Sequence, residues 1–331
     1  MQTITLARHA MATRFELVLH GEDPVALRAA GEEALDEIDR LENQLSLYRA
    51  GSEIAQLNAR AASESVRVTP ELFALLQHAQ RLHAETGGVF DITIAPLVRC
   101  WGFMGGSGKM PTLEEIAEAQ SKVGMSHIHL DAPSRTVRFD RPGGMLDLGA
   151  IGKGYAVERA VGFLRDAGVT CALVHGGTST VYAMGRPPDA DCWQVAIEQP
   201  PASFQILVSS PATGLGSTAG KSSSALPAVR LRDEAMSVSA AWGRCFEADG
   251  QMLGHVLDPR TGHPADRALL AVVVLPSATE TDALATAMLT AGREGFETMT
   301  NLRPNMRTLL LLPGKDGLRV QSRDLATDLS K

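Results

Sequence analysis

Apolar positions recur every three or four residues in several segments, which predicts amphipathic helices. Glycine, proline and capping residues bound these segments. The predicted helices run from Pro24 through Ala34, Leu35, Ile38, Leu41 and Leu45, from Thr69 to Gly87-Gly88, from a Thr112 capping box to Gly124, from the glycine turn at 149–154 toward Gly168, and onward from a Thr279 cap.

Short runs of apolar and β-branched residues between turn signals predict strands. They fall at 15–19, 127–130, 136–139, 171–174, 181–184, 193–197 and 269–275, and one more ends on Asp147. Helices and strands do not alternate steadily, so we predict an α+β fold with mixed sheets and packed helices. The segment 209–226 is rich in Ser, Gly, Thr and Pro and is predicted to be a surface insertion.

Composition narrows the classes of function. The chain has 331 residues and a formal net charge of −7, which argues against a nucleic-acid partner. No apolar run reaches the roughly 18 residues of a membrane span. The N-terminus shows no signal peptide, so we expect a cytoplasmic protein, or a periplasmic one if a leader has been removed. The four cysteines are widely spaced and suggest neither a zinc site nor a disulfide framework.

Residues 146–155 contain a glycine-lined turn that opens a helix. Main-chain N–H groups and the positive end of a helix dipole suit a phosphate, and Lys153 adds a positive charge. The spacing matches neither the dinucleotide-binding fingerprint nor the P-loop. The alternative is an ordinary tight turn with Lys153 in solvent.

Asp282 and Thr286 are four residues apart and therefore share one helix face. A carboxylate and a hydroxyl are hard oxygen ligands of the kind that Mg²⁺ prefers. The alternative is an aspartate placed in a first turn by the helix dipole, with a threonine bonded back to the main chain.

His255 is predicted to precede a short strand that ends in the turn at 258–262. It is a candidate general base, with a structural histidine as the alternative. Val89 and Phe90, beside Asp91, are candidates for the wall around a flat heterocycle, although they also resemble core residues.

The order of several motifs along the chain resembles the FAD:protein FMN transferase (ApbE) family. The resemblance covers about residues 11–292, and its last motifs are the most specific. The motifs are Met11-Ala12-Thr13-Arg14-Phe15, Leu45-Ser46-Leu47-Tyr48, Ser52-Glu53-Ile54, Gly88-Val89-Phe90-Asp91-Ile92-Thr93, the run from Asp147 to Tyr155, the run from His255 to Gly262, and Asp282-Ala283-Leu284-Ala285-Thr286.

This resemblance implies a T-fold-like architecture and an enzyme that requires Mg²⁺. The enzyme would split FAD, its substrate, and transfer FMN to a Thr or Ser hydroxyl of an acceptor flavoprotein, releasing AMP. The implied transferase region is 1–292, in two lobes with the FAD site between them, and 293–331 form a C-terminal extension that completes the fold.

The resemblance also implies a role for individual residues. His255 is the candidate base for the incoming hydroxyl. The metal site would comprise Asp282 and Thr286, with main-chain help from Ala150 and Ala285. The implied FAD-binding residues are Met11, Tyr48, Val89, Phe90, Asp91, Asp147, Lys153 and Val256.

Two segments depart from the pattern that family members commonly show. Thr178-Ser179 stands where an aspartate is common after the two glycines, and 239–243 read Ser-Ala-Ala-Trp-Gly where Thr-Ser-Gly is common. Both departures affect the acceptor side more than the FAD side. Two alternatives to the transferase therefore stay open: a Mg²⁺-dependent FAD pyrophosphatase that gives FMN and AMP, and a non-catalytic FAD-binding protein.

Overall fold

One antiparallel sheet of eight strands organises the molecule. The computed structural model describes residues 1–201, 226, 228–314 and 317–325, so all of the predicted insertion at 209–226 except Leu226 lies outside the described residues. The strand order is β1-β2-β6-β7-β10-β13-β14-β15. These strands are β1 (Gln2–Ala10), β2 (Thr13–Gly21), β6 (Cys171–Gly176), β7 (Thr180–Met184), β10 (Glu234–Ala240), β13 (Leu270–Leu275), β14 (Arg307–Gly314) and β15 (Gly317–Arg323).

Three small antiparallel sheets and seven helices surround this sheet in the described part of the chain. The small sheets pair β3 (Val66–Arg67), β5 (Thr136–Phe139) and β4 (Ile128–Asp131); β8 (Trp193–Val195) and β9 (Val229–Leu231); and β11 (Cys245–Ala248) and β12 (Gln251–Gly254). The helices are α1 (Pro24–Leu45), α2 (Glu53–Arg60), α3 (Pro70–Glu85), α4 (Ala95–Cys100), α5 (Leu113–Gln120), α6 (Gly152–Asp166) and α7 (Ala278–Thr300). The α+β prediction is confirmed.

The two faces of the large sheet are both buried. Side chains alternate between the faces along each strand, so Leu17 and Val174 join the core beneath α1, α6 and α7. Val181, Met236 and Val272 point to the opposite face and pack with β8 and β9. Burial on both faces explains why β13 reads as a continuous apolar run rather than an alternating one.

Helix α7 is fixed at its N-terminus by an ionic network. Arg303 donates to Glu280 at 2.8 and 2.9 Å and to Glu85 at 2.6 Å, and His78 Nε2 lies 3.2 Å from the Glu280 carboxylate. His78 and Arg303 together lower the pKa of Glu280 to about 2. The network therefore ties α3, α7 and the segment after α7 together.

Several element boundaries differ from the prediction. The N-cap of α7 is Ser277, not Thr279, because the Ser277 hydroxyl accepts from Glu280 N–H. The Glu158 carboxylate accepts from both the Ser277 hydroxyl and the Thr279 N–H and holds this cap against α6. Helix α5 ends at Gln120, before the predicted end at Gly124. The strand that starts at Trp193 ends at Val195, where the prediction extended to residue 197. No strand ends on Asp147.

No helix among the described residues is both long enough and apolar enough to cross a membrane.

Candidate active site

A cavity of about 620 Å³ lies where the end of β10, the start of α6 and the second turn of α7 meet. This volume is within the usual range for small-molecule sites. Every predicted site residue except Ala285, which is fully buried inside α7, lines the cavity. Those that do are Met11, Tyr48, Val89, Phe90, Asp91, Asp147, Ala150, Lys153, His255, Val256, Asp282 and Thr286.

Met11 reaches the cavity from the two-residue turn between β1 and β2. Met11 and Ala12 both adopt positive φ (49° and 59°) and connect the paired residues Ala10 and Thr13. Such left-handed turns match the twist of a hairpin, but a residue with a side chain pays about 1–2 kcal/mol for the conformation. This local strain places the Met11 side chain at the cavity.

Asp91 lies in a loop that its own carboxylate organises. Its Oδ1 accepts from the Thr93 N–H (2.7 Å) and hydroxyl (2.6 Å), and His83 lies 3.3 Å from its Oδ2. The Thr93 hydroxyl in turn accepts from Gly124 N–H. These bonds fix the main chain at 89–91, which presents Val89 and Phe90 to the cavity.

Asp147 is positioned by side chains and main chain rather than by a strand. Asn58 bonds both main-chain groups of Leu146, and Asp147 N–H donates to Ile92 O at 2.7 Å. Burial raises the pKa of the Asp147 carboxyl, although a bond from Gly149 N–H and the charges of Lys153 and Arg244 oppose that effect.

The glycine turn at the start of α6 has fewer open N–H groups than its sequence suggests. Ile151 and Gly152 N–H both donate to Leu148 O, and Gly154 N–H donates to the Asp282 carboxylate at 2.9 Å. Lys153 is not in open solvent, since its ammonium donates to Gly149 O at 3.2 Å beside the cavity. The ammonium of Lys153 is therefore better placed to bind an anion at this turn than the main-chain N–H groups, most of which already have partners.

Asp282 is a buried carboxylate, 4% exposed, with no cationic side chain bonded to it in the described ranges. It lies in the second turn of α7, so the explanation by a first-turn dipole does not apply. Thr286 Oγ1 donates back to Asp282 O (3.3 Å) and contacts Ser239 Oγ (3.1 Å).

These oxygen donors fit Mg²⁺. A buried carboxylate without a counter-ion needs a positive partner, and Mg²⁺ commonly takes one or two protein oxygens together with waters and phosphate. No cluster of three or more His, Cys, Asp or Glu suited to a metal occurs among the residues described.

His255 follows strand β12 rather than preceding a strand. Its Nδ1 lies 3.1 Å from Arg244 O and 3.3 Å from Arg244 N, in line with the pairing of β11 and β12. Burial lowers the pKa of the imidazole. The bond with the Arg244 main chain opposes this effect, whereas the charges of Arg244 and Lys153 act in the same direction as burial. A neutral imidazole facing the cavity is suited to accept a proton near pH 7.

Other residues that line the cavity were not among the predicted site residues; Arg244 is one of them, and Phe103, Ser239 and Trp242 are others. The Arg244 guanidinium donates to Phe103 O and Gly106 O, which attaches the loop after α4 to the cavity wall. The Phe103 and His255 rings pack edge to face at 6.4 Å. No local pattern marks this contact, because Arg244 and Phe103 are far apart in the sequence.

Comparisons with known proteins agree with this geometry. The ApbE family profile matches residues 11–310. A Vibrio cholerae protein named FAD:protein FMN transferase is 30% identical over 78% of this chain and 73% of its own. A Treponema pallidum protein of the same name is 30% identical over 93% of this chain and 84% of its own.

A solved ApbE protein structure from Thermotoga maritima superposes with a TM-score of 0.83 at 25% identity, covering 98% of this chain and 97% of that one. The fold, the order of the motifs and the residues that line the cavity therefore all agree with the family match. The chain belongs to the ApbE family.

Proposed function

We propose that this chain is a flavin transferase that moves the FMN part of FAD to a Thr or Ser hydroxyl of an acceptor flavoprotein, with Mg²⁺ required. One observation carries the proposal. A single cavity brings together a buried carboxylate without a counter-ion (Asp282), a lysine ammonium (Lys153), a neutral imidazole (His255) and aromatic walls. The names of the relatives supply the flavin chemistry.

The reaction balances with groups of this site. The acceptor hydroxyl oxygen attacks the phosphorus of the FMN half, and the bond from that phosphorus to the bridging oxygen breaks. AMP leaves with the electron pair, and His255 takes the hydroxyl proton. Mg²⁺, held by Asp282 and Thr286, would neutralise charge on the phosphate oxygens.

The remaining residues bind and orient. Lys153 offers a cation to the diphosphate, and Tyr48, which is 60% exposed, offers a ring face at the mouth of the cavity. The overall charge of −7 repels anionic FAD, so these local positive groups matter more here than in a basic protein.

The test is to incubate the chain with FAD and a candidate acceptor flavoprotein, with and without Mg²⁺. AMP is quantified, and FMN on the acceptor is read by mass spectrometry. Mg²⁺-dependent attachment supports the proposal. Free FMN and AMP without an acceptor would indicate a pyrophosphatase, and bound but intact FAD would indicate a carrier.

A further inference from the structure

Strand β10 and helix α7 are joined by two pairs of hydroxyl groups. Ser237 Oγ donates to Thr281 Oγ1 at 2.9 Å, and Ser239 Oγ lies 3.1 Å from Thr286 Oγ1. Two residues of a strand advance about 6.7 Å and five residues of a helix about 7.5 Å, so the strand runs alongside the helix over this length. The two pairs therefore occupy successive positions of one contact between strand and helix.

The surroundings of the two pairs differ. Ser237 and Thr281 are both fully buried, and the Thr281 hydroxyl donates onward to Ala278 O at 3.0 Å. Ser239 and Thr286 are half-buried, and both line the large cavity. The first pair thus belongs to the core, whereas the second belongs to the cavity wall.

Asp282, on the same helix, has one carboxylate oxygen engaged and one available. Its Oδ2 accepts from Gly154 N–H at 2.9 Å, and within the described ranges no donor contacts its Oδ1. Thr286 lies one turn further along α7 and lines the same cavity. Whether Thr286 can add its oxygen to a cation beside Asp282 depends on where the Thr286 hydroxyl proton points.

A hydroxyl group that binds a cation through its oxygen must direct its single proton to another acceptor. Two acceptors lie within reach of Thr286 in the part of the chain that is described: Asp282 O at 3.3 Å and Ser239 Oγ at 3.1 Å. Asp282 O is also the helical partner of the Thr286 N–H, four residues on. Ser239 is therefore the nearer acceptor and the less occupied one.

Ser239 carries the one hydroxyl of its segment, because residues 239–243 read Ser-Ala-Ala-Trp-Gly. Alternation along β10 directs Ser237 and Ser239 to the same sheet face, which is the face that packs on α7. The position of the Ser239 hydroxyl is thus set by the strand, independently of the helix that carries Asp282 and Thr286.

We infer that Ser239 accepts the hydroxyl proton of Thr286 when Mg²⁺ binds, which leaves both lone pairs of the Thr286 oxygen available to the cation. This inference rests on the proposed function, because that function places Mg²⁺ at Asp282 and Thr286. Ser239 is then a positioning residue that acts through Thr286. Removing a partner that orients a metal ligand typically weakens metal affinity 10- to 100-fold.

Three variants on one strand face test this role. Ser239→Ala removes the acceptor, Ser239→Thr keeps a hydroxyl, and Ser237→Ala removes the buried pair as a matched control. Mg²⁺ is titrated by calorimetry into the FAD-loaded protein without an acceptor. We expect the Mg²⁺ dissociation constant to rise about tenfold in Ser239→Ala and to change less than about twofold in the other two variants. Urea unfolding reports the stability of each variant separately.

A fourth variant, Ser239→Cys, separates positioning from direct ligation. A thiol is a weak hydrogen-bond acceptor and a soft metal ligand. As a positioning residue, Ser239→Cys should lose Mg²⁺ affinity without gaining affinity for Cd²⁺ over the unsubstituted chain. A gain in Cd²⁺ affinity at the cost of Mg²⁺ would make residue 239 a direct ligand and overturn the positioning role.

Weaker Mg²⁺ binding in Ser239→Ala, recovered in Ser239→Thr, supports the inference, as does transfer by Ser239→Ala that saturating Mg²⁺ restores. An unchanged Mg²⁺ dissociation constant in Ser239→Ala would overturn it and leave the transferase standing. An equal loss in Ser237→Ala would assign the effect to packing and also overturn it. If Ser239→Ala fails to fold, Ser239→Thr against Ser239→Cys decides by the same criterion.

Failure of the proposed function has its own signature. The expected order of Mg²⁺ affinities without any FMN transfer would keep the role of Ser239 and overturn the transferase. FMN transfer by an unsubstituted chain that binds no Mg²⁺ would overturn the role of Ser239 and the metal requirement together.

Discussion

Gly154 of α6 packs directly against α7, and replacing it tests how the position of Asp282 is set. A Cβ at Gly154 would lie 2.6 Å from Asp282 Cβ and closer still to Ala278 O, where ordinary contact begins near 3.4 Å. The helices must then separate by about 1 Å. Overpacking of this kind costs about 1–3 kcal/mol, against a helix-propensity gain of about 1 kcal/mol.

Gly162 supplies the matched control, because it lies on the same helix and a Cβ there meets nothing within 4 Å. Gly162→Ala should raise the free energy of unfolding by up to about 1 kcal/mol. Gly154→Ala should therefore be about 1–3 kcal/mol less stable than Gly162→Ala.

The two variants are compared by urea unfolding, with and without Mg²⁺. If Mg²⁺ binds at Asp282 as proposed, it should stabilise Gly162→Ala more than Gly154→Ala, because separating the helices displaces the Asp282 carboxylate, which accepts from the main-chain N–H of residue 154. Equal stability of the two variants, with the same response to Mg²⁺, would refute the idea that helix contact at Gly154 positions the site.

Three further predictions concern ionisable groups. His255→Asn should lower kcat by about 10²–10⁴-fold. In the unsubstituted chain, the apparent pKa at which kcat falls on the acid side should lie below 6.5, because burial lowers the pKa of His255. An apparent pKa above 6.5 on that side would contradict this. Asp282→Asn keeps an acceptor for its main-chain bond but loses the charge, so transfer should fall about 100-fold while the melting temperature holds. Glu280 has its pKa lowered from 4.5 to about 2, so it contributes about 3 kcal/mol of stability that is present above pH 4.5 and lost as the pH falls toward 2. Glu280→Gln should remove that dependence in unfolding measured across pH, and a variant with the same acid slope would contradict it.

The elements with strong periodicity could be predicted from sequence. Helix α1 and strand β13 follow directly from apolar spacing, and the Thr112 capping box is present as predicted. The unpredicted strands are β1, β3, β9, β10, β11, β12, β14 and β15. Of these, β1 and β15 are edge strands with largely polar, half-exposed patterns. Helix α2 is short and lacks a long apolar stripe.

Local patterns alone made Lys153, His255, Asp282 and Thr286 candidates. The resemblance added Met11, Tyr48 and Val256. The distance between Asp282 and Gly154, or between Ser239 and Thr286, depends on how distant segments pack, and no local pattern encodes it. The Ser277 cap, by contrast, has a local pattern: Ser277 is followed three residues later by Glu280, as in a capping box, and the Ser277 hydroxyl accepts from Glu280 N–H.

The pairing of β2 with β6 bears on how the chain folds. His20 pairs with Cys171, so residues 21–170 leave the sheet and return to an adjacent position, whereas other neighbours in the sheet are closer in sequence. Closing such a loop costs about 3 kcal/mol more entropy than a five-residue turn. This one pairing raises the relative contact order of the chain. Because folding rates fall as relative contact order rises, the pairing is expected to slow folding. The cavity is complete only when residues 48, 89–91 and 147–153 of this excursion lie beside Met11 and His255. We therefore expect the site to assemble late in folding and a bound ligand to act mainly by slowing unfolding.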